Sequence, residues 1–377
     1  MVSAVERVDL CSGNKMVVRG ALAAGCDFFA GYPITPSSEV YAEMMRQLPG
    51  LGGIAVGAPD EISSLSYAVG ASLSGAHAMT ATSGPGWSLM IETVGYAVMT
   101  ETPVVILVVQ RLGPATGGAT QGGQGDLFLV EYCTSGGYPI PVLAPVDAYD
   151  CYTLTAEAFS IADRLRSPVV VLSDKEVAMT VESVHLDKLP DVRPAFRSLP
   201  SSNSPYRPYG IQALSDVPLF TPVGGSRKVT VTGSAHNQDG QLRKNDPETI
   251  RQIQHLDVKI SQYAERLERV RWTDEPGART LLVSFGISAR TCRDVARQSK
   301  SEGNPVSLLE ILSLYPVPWR ALKAAAQKVR RVVIVEENLS GLYGKELLPF
   351  LRDVEVQKVN QIGAMISPAA IREVVRA

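Results

Sequence analysis

The sequence predicts an α/β protein: two doubly wound parallel-sheet domains joined by an extended, partly helical linker. Three observations carry this. Unbroken apolar runs such as Val104-Val105-Ile106-Leu107-Val108-Val109 lack the alternation of half-exposed strands and suit strands covered on both faces. Such runs alternate with helical patterns over 1–188 and again over 277–377, the signature of helices packed on a parallel sheet. Between them, 189–276 loses periodicity in a crowd of prolines and then gains one long amphipathic helix. At 377 residues the chain exceeds one typical core and fits two domains.

Taken in order, 13–25 predicts a helix with Met16, Val17, Leu22 and Ala23 inward and Arg19 in solvent, followed by a strand over 26–30. Ser37 and Ser38 are candidate caps for a helix over 39–48. A strand over 53–56 leads to a helix over 60–74, with Asp60 at its start and Ile62, Leu65, Val69 and Leu73 inward. Strands follow at 76–83, 103–109, 139–143 and 168–173, with helices at 84–99, 126–133 and 148–165. The strap 189–225 carries seven prolines from Pro190 to Pro222. A run that long without periodicity is functional or wraps a partner. Asp246 and Pro247 then start a helix whose stripe is Ile250, Ile253, Leu256, Ile260, Tyr263 and Leu267. The last unit reads as strands at 280–285, 306–309, 332–335 and 355–359 with helices at 288–299, 318–327, 343–351 and 368–375. No Gly-x-Gly-x-x-Gly follows its first strand, so a dinucleotide fingerprint is absent.

Composition narrows the function classes. A net charge of −2, 45% hydrophobic and 20% charged residues describe an ordinary globular chain with no basic face for nucleic acid. No apolar run approaches bilayer length. The first residues carry Glu6 and Asp9 without an apolar core, so the expectation is a cytoplasmic protein. The five cysteines and four histidines show no metal or cluster spacing. Any electron-transfer cluster would therefore sit on another chain.

Two prolines bracket Ile34 and Thr35, so the chain leaves its strand extended and rigid, holding the Thr35 hydroxyl at the strand's carboxyl end. Loops of this kind, running into a helix N-terminus, are where open α/β sheets take anionic ligands. Glu61 falls in the first turn of the next helix, where acidic residues are also common for dipole reasons alone. Arg111 ends a buried strand just before a glycine-rich loop. It reads either as a solvated strand-end cation or as the fork that receives a carboxylate. The loop itself, Gly117-Gly118-Ala119-Thr120-Gln121-Gly122-Gly123-Gln124-Gly125-Asp126, lacks the Lys-Ser/Thr of a triphosphate loop and is otherwise explained as a flexible connection.

The string Tyr32-Pro33-Ile34-Thr35-Pro36-Ser37-Ser38 resembles the opening loop of the α subunit of 2-oxoacid:ferredoxin oxidoreductases, which are thiamine diphosphate enzymes. The likeness runs through 1–185 and returns over 277–377. It implies a pyrimidine-binding-type domain at 1–188 and a transketolase C-terminal-like domain at 277–377. By this resemblance Glu61 is catalytic: it contacts the cofactor's aminopyrimidine N1′ and favours the tautomer that activates the thiazolium, with Tyr32 and Pro33 also at the cofactor. Thr35 and Arg111 bind the substrate carboxylate. Gln-Gly-Asp-Leu at 124–127 resembles the family's active-site loop, and Thr82-Ser83-Gly84-Pro85-Gly86 recurs in it. The segment 231–240 is similar to a Thr-Gly-Leu-Glu-His segment but replaces Leu-Glu by Ser-Ala, so His236 is expected as a solvated loop histidine.

The resemblance also implies half of an active site. No Gly-Asp-Gly with a following paired asparagine occurs, and the family keeps that element on a β subunit. That partner would hold the diphosphate, Mg and a [4Fe-4S] cluster in an (αβ)₂ assembly, with coenzyme A as co-substrate and ferredoxin as electron partner. The separate γ domain of the family has no counterpart in the sequence. The implied reaction is reversible oxidative decarboxylation of a 2-oxo acid to an acyl-CoA. A chain starting directly at this domain resembles the 2-oxoglutarate type; pyruvate and branched-chain 2-oxo acids are the alternatives. Another thiamine-dependent enzyme half is one rival. A noncatalytic flavodoxin-like scaffold subunit is a rival of another class, and it predicts that Glu61→Ala changes nothing.

Overall fold

The computed structural model describes residues 7–194, 196–201 and 205–376. Glu6 and the rest of 1–6, together with Ala195 and 202–204 of the strap, lie outside the described residues.

A seven-stranded sheet forms the first layer. Its order is Ser313–Tyr315, Val142–Leu143, Pro168–Asp174, Val104–Gln110, Ala78–Ser83, Phe28–Gly31 and Ile54–Gly57. Successive residues of the central strand face opposite sides. Val105, Leu107 and Val109 pack with the helices Gly13–Ala23 and Ala148–Leu165, whereas Val104, Ile106 and Val108 pack with Glu61–Leu73 and Gly84–Met99. Both faces are therefore buried, which is why these strands read as unbroken apolar runs. Six strands run parallel; Ser313–Tyr315 joins antiparallel at the edge.

The second sheet has five strands in the order Glu355–Asn360, Arg331–Glu336, Thr280–Ser284, Ser307–Ile311 and Val270–Thr273. The first four are parallel and Val270–Thr273 is an antiparallel edge. Leu282 and Val333 pack on the helices Gly286–Ser301 and Pro368–Arg376, while Leu281, Val283 and Leu309 share one core with Leu127, Val142 and Leu172 of the first layer. The two sheets thus meet through a continuous apolar core. A two-stranded antiparallel ribbon, Val8–Ser12 with Val181–His185, and the helix Lys175–Met179 complete the first layer.

Local choices follow the side chains. The Asp60 carboxylate accepts from the Ser63 amide at 2.7 Å and starts the helix Glu61–Leu73. Asp246 does the same for Thr249 at 3.0 Å, with Pro247 in the first turn of Pro247–Leu267. Ser37 is the cap position of Ser38–Gln47 but makes no side-chain cap; its hydroxyl donates back to the Ile34 carbonyl at 3.0 Å. Ile62, expected inward, is exposed, and the buried face of its helix is Glu61, Ser64, Leu65, Ala68, Val69 and Ser72. The small residues let the neighbouring layer approach, and that sets the face.

The strap is fastened to this chain's own body. Arg197 is buried, pairs with Asp163 at 2.7 Å, donates to the carbonyls of Ser72 and Ala76, and stacks on Phe220 at 4.6 Å. Arg166 donates to the strap carbonyls of Pro208 and Leu219. The long helix likewise buries polar groups that the apolar stripe did not foretell. Lys259 and His255 both reach Glu101 Oε2, at 2.5 and 3.0 Å, and Ile250 is exposed. Glu101 takes a left-handed backbone (φ 47°). Burial alone would raise its acidity value, but the Lys259 ammonium and then His255 hold it well below the carboxylate range.

Candidate active site

The chain reverses direction across the first sheet at one place. From Phe28–Gly31 it winds out to Ile54–Gly57, then returns to the other side of Phe28–Gly31 for Ala78–Ser83 and moves on to Val104–Gln110. The ladder at the reversal is short, pairing only Phe28 with Ala78 and Phe29 with Met79. The strands part beyond it and leave a crevice at their carboxyl ends, the position where open α/β sheets bind ligands.

Glu61 reaches this crevice from the helix after Ile54–Gly57. It is 7% exposed, and among the described residues nothing hydrogen-bonds its carboxylate. Its side chain lies against Gly86, in the first turn of Gly84–Met99. A Cβ built on Gly86 would sit 2.6 Å from Glu61 Cγ, 2.7 Å from Oε1 and 2.2 Å from Thr82 Oγ1. Only glycine permits that approach.

Arg111 follows Val104–Gln110 on the same edge and is 7% exposed, so it is not a solvated strand end. Its Nη1 donates to the Thr35 carbonyl at 2.5 Å and its Nη2 to the Thr116 carbonyl at 3.5 Å, while Nε is buried without a partner. Arg111 lines a cavity of about 390 Å³ with Gly84, Pro85, Asp126, Glu337 and Asn338. The exposed Thr35 lines a separate cavity of about 390 Å³ with Asn14, Ser38 and Glu39. The structure therefore joins Arg111 to the Thr35 backbone but puts the two residues in different cavities. Tyr32 and Pro33 are exposed in the loop above Phe28–Gly31. No hydrogen bond or ion pair joins Glu61 to Arg111.

The far wall comes from the second unit through Gln124. Its amide nitrogen donates to Asp174 at 3.0 Å and to the Phe285 carbonyl at 3.2 Å; its Oε1 accepts from Ser288 at 3.1 Å and the Glu337 amide at 2.8 Å. Its own amide donates to the Glu337 carbonyl and its carbonyl accepts from Asn338. The glycine-rich loop is thus fastened at its end across the two sheets. Around this junction burial pushes Asp174 up to about 6 against the bonds it accepts from Ile287, Val177 and Gln124. Burial, then the charge of Asp174, pushes Glu337 up to about 8. Asp126, too, is raised by burial to about 6, with Arg111 pulling the other way. Sequence reasoning did not isolate Gln124, Asp126 or Glu337; the string Gln-Gly-Asp-Leu was the available signal for the first two.

His236 corrects an expectation. It is buried, packed against Tyr209 with ring centroids 4.1 Å apart and the rings tilted by 37°, and bonded to the carbonyls of Asn237 and Met99. It pins the linker to the first layer. Among the described residues no group of three or more His, Cys, Asp and Glu is arranged to hold a metal ion, and no helix is long and apolar enough to cross a membrane.

Residues 19–254 match the family described as pyruvate flavodoxin/ferredoxin oxidoreductase, thiamine diphosphate-binding, and residues 278–367 match pyruvate:ferredoxin oxidoreductase core domain II. The chain belongs to the 2-oxoacid:ferredoxin oxidoreductases. Among its relatives in this family, a 2-oxoglutarate synthase subunit KorA of Archaeoglobus fulgidus is 39% identical over 98% of this chain and 98% of its own length. A ketoisovalerate oxidoreductase subunit VorB of Methanothermobacter thermautotrophicus is 31% identical over 94% and 93%. The solved 2-oxoglutarate:ferredoxin oxidoreductase of Magnetococcus marinus, with 2-oxoglutarate, coenzyme A and succinyl-CoA bound, superposes with a TM-score of 0.89 at 29% identity, covering 98% of this chain. The chain spans 65% of that solved chain. A split-gene transketolase shares the fold, with a TM-score of 0.54 at 14% identity. Within the oxidoreductase family the crevice residues Glu61 and Arg111 thus lie inside the thiamine diphosphate-binding match, and the cavity wall at Glu337 and Asn338 lies inside the second match.

Proposed function

We propose that this chain is the α subunit of an enzyme that decarboxylates a 2-oxo acid, 2-oxoglutarate first, passing the acyl group to coenzyme A and the electrons to ferredoxin. One observation carries the reading: Glu61, with open acceptor capacity, and Arg111, with an unpartnered Nε, stand at the carboxyl edge around one topological reversal. The residues fit thiamine diphosphate, because a desolvated carboxylate on a glycine-floored crevice can accept a hydrogen bond from a ring nitrogen. When bound, the cofactor supplies the carbanion chemistry of decarboxylation. Glu61 would hold a proton at the aminopyrimidine nitrogen, and Tyr32 and Pro33 would approach the cofactor from the opening loop. Arg111 fixes the substrate carboxylate, held in orientation by the Thr35 carbonyl, and the Gln124 junction ties the cavity wall across the two sheets. Residues 1–188 form the cofactor-facing unit, 277–377 the wall, and 189–276 the linker. A β subunit would carry the diphosphate site, Mg and the [4Fe-4S] cluster, in an (αβ)₂ complex.

A branched-chain 2-oxo acid is the second reading. Apart from Arg111, the described lining of its cavity holds no cation, and Leu112, Leu129, Leu339, Leu342 and Ile362 surround it. That wall favours an apolar tail over a second carboxylate. The test is co-purification of the tagged chain with its partner from the native host. Coenzyme A-dependent viologen reduction with 2-oxoglutarate, pyruvate and 2-oxoisovalerate is then measured, with Glu61→Ala alongside. Activity on one acid, lost in the variant, supports the reading and names the substrate. Activity that survives Glu61→Ala, or none on any acid, overturns it.

A further inference from the structure

Among the described residues, three buried polar atoms at the crevice lack partners: Arg111 Nε, Asp126 Oδ2 and Ser83 Oγ. Unpartnered groups of this kind mark a place where a ligand or water completes the bonding. Arg111 and Asp126 line the same cavity without forming an ion pair with each other. The Asp126 carboxyl overlies the start of the helix Gly84–Met99: a Cβ on Gly84 would lie 2.7 and 2.8 Å from its two oxygens. That helix start has no side-chain cap, so the carboxyl occupies the place an incoming anion would favour, between a helix N-terminus and a guanidinium.

We propose that Asp126 is the internal counter-ion of Arg111, standing in for the substrate carboxylate before it arrives and taking up one proton from solvent when it binds. The inference rests on the reading of Arg111 as the carboxylate receiver. Two carboxylates cannot both remain ionised beside one guanidinium in a desolvated cavity without a large cost. A 2-oxo acid is the stronger acid of the two, so Asp126 accepts the proton. When the substrate carboxylate leaves as carbon dioxide, Asp126 releases that proton and resumes its place. The other charged or titratable groups around it do not supply a replacement. Glu61 lies beside Gly86 of the same first turn, Glu337 faces the cavity from the second unit, and Glu131 shares the short helix Leu127–Glu131; all are acids. Asp126 is therefore a positioning residue that acts through Arg111.

The experiment uses the co-purified complex carrying Glu61→Ala, so that a 2-oxo acid binds without reacting. Calorimetric titration with the accepted 2-oxo acid at pH 7, in phosphate and in Tris, gives the protons taken up per site. The expected uptake approaches one with Asp126 present, is retained in Asp126→Glu, and falls to near zero in Asp126→Asn. In steady state, with Glu61 restored, KM should rise by up to about tenfold per pH unit above pH 6 for the native complex and stay flat for Asp126→Asn. Equal uptake with and without Asp126, or parallel KM profiles, overturns the counter-ion while leaving the Arg111 reading intact. Failure of the native complex to bind any 2-oxo acid overturns both. Gel filtration and melting of Asp126→Asn, whose side chain is near-isosteric, verify that the variant complex is folded when these readings are taken.

Discussion

Arg111 is held by the backbone of Thr35: one terminal nitrogen donates to that carbonyl at 2.5 Å, and the inner Nε of the same guanidinium remains unpartnered. The fork is oriented before any ligand arrives, because the carbonyl belongs to a loop stiffened by Pro33 and Pro36. Arg111→Lys keeps the charge but loses the fork. We expect KM for the 2-oxo acid to rise about 10- to 100-fold, in line with about 1.5–3 kcal/mol for a charge-assisted bond. The same variant should show a much smaller change in kcat, read from steady-state kinetics of the complex.

Glu61 and Gly86 act as one unit. Glu61→Ala should lower kcat at least about 100-fold with assembly intact. Gly86→Ala places a methyl where the Glu61 carboxylate and Thr82 hydroxyl now lie. It should reproduce part of that loss while every titratable group is still present. Kinetics of both variants, beside a melting curve of each complex, separate displacement of Glu61 from unfolding.

The buried Glu101–Lys259 pair secures the long helix to the first layer. Lys259→Met leaves the Glu101 carboxylate with His255 as its side-chain partner and should cost about 3–5 kcal/mol. The double variant Lys259→Met, Glu101→Gln should recover much of that, since no unpaired charge remains. Chemical denaturation of the chain tests both.

Glu337, raised to about 8 in the fold from an ordinary 4.5, binds more protons folded than unfolded between those values. Its contribution to stability therefore falls as pH rises through that window, and the cost is complete above pH 8. Asp174 acts in the same direction over a lower range, up to about 6. Glu337→Gln keeps an acceptor for the Ile366 amide, which now bonds Oε1 at 3.2 Å. The variant should gain stability relative to the native chain as pH rises, on the order of a few kcal/mol by pH 9. Denaturation midpoints at pH 5, 7 and 9 measure it.

What the sequence reveals depends on how local its cause is. The central strands were legible because burial on both faces writes an unbroken apolar run, and the starts at Asp60 and Asp246 because a cap is a local motif. Glu61 and Arg111 were singled out by the strings around them, and the structure buries both. The strands Val8–Ser12, Val270–Thr273 and Ser313–Tyr315 were missed because each is a short edge or ribbon strand defined by a distant partner. His236 was misjudged, and the burial of Lys259 and His255 was not foreseen, for a related reason: polar residues inside a helix or loop read as solvated unless the carboxylate or carbonyl that receives them is known. Gln124 looked like one polar residue in a flexible loop; its six hydrogen-bond partnerships reach positions from Asp174 to Asn338.

The strand Ser313–Tyr315 sits between two segments of the second sheet, Ser307–Ile311 and Arg331–Glu336, yet pairs with Val142–Leu143 of the first. A gene cut before residue 313 would yield a protein with Val142–Leu143 as a bare sheet margin, prone to self-association. The complementary piece would carry a strand with nowhere to go. Recombination that exchanges only one half of this chain must therefore bring along a matching Ser-Leu-Tyr segment. The two halves complete one sheet only together.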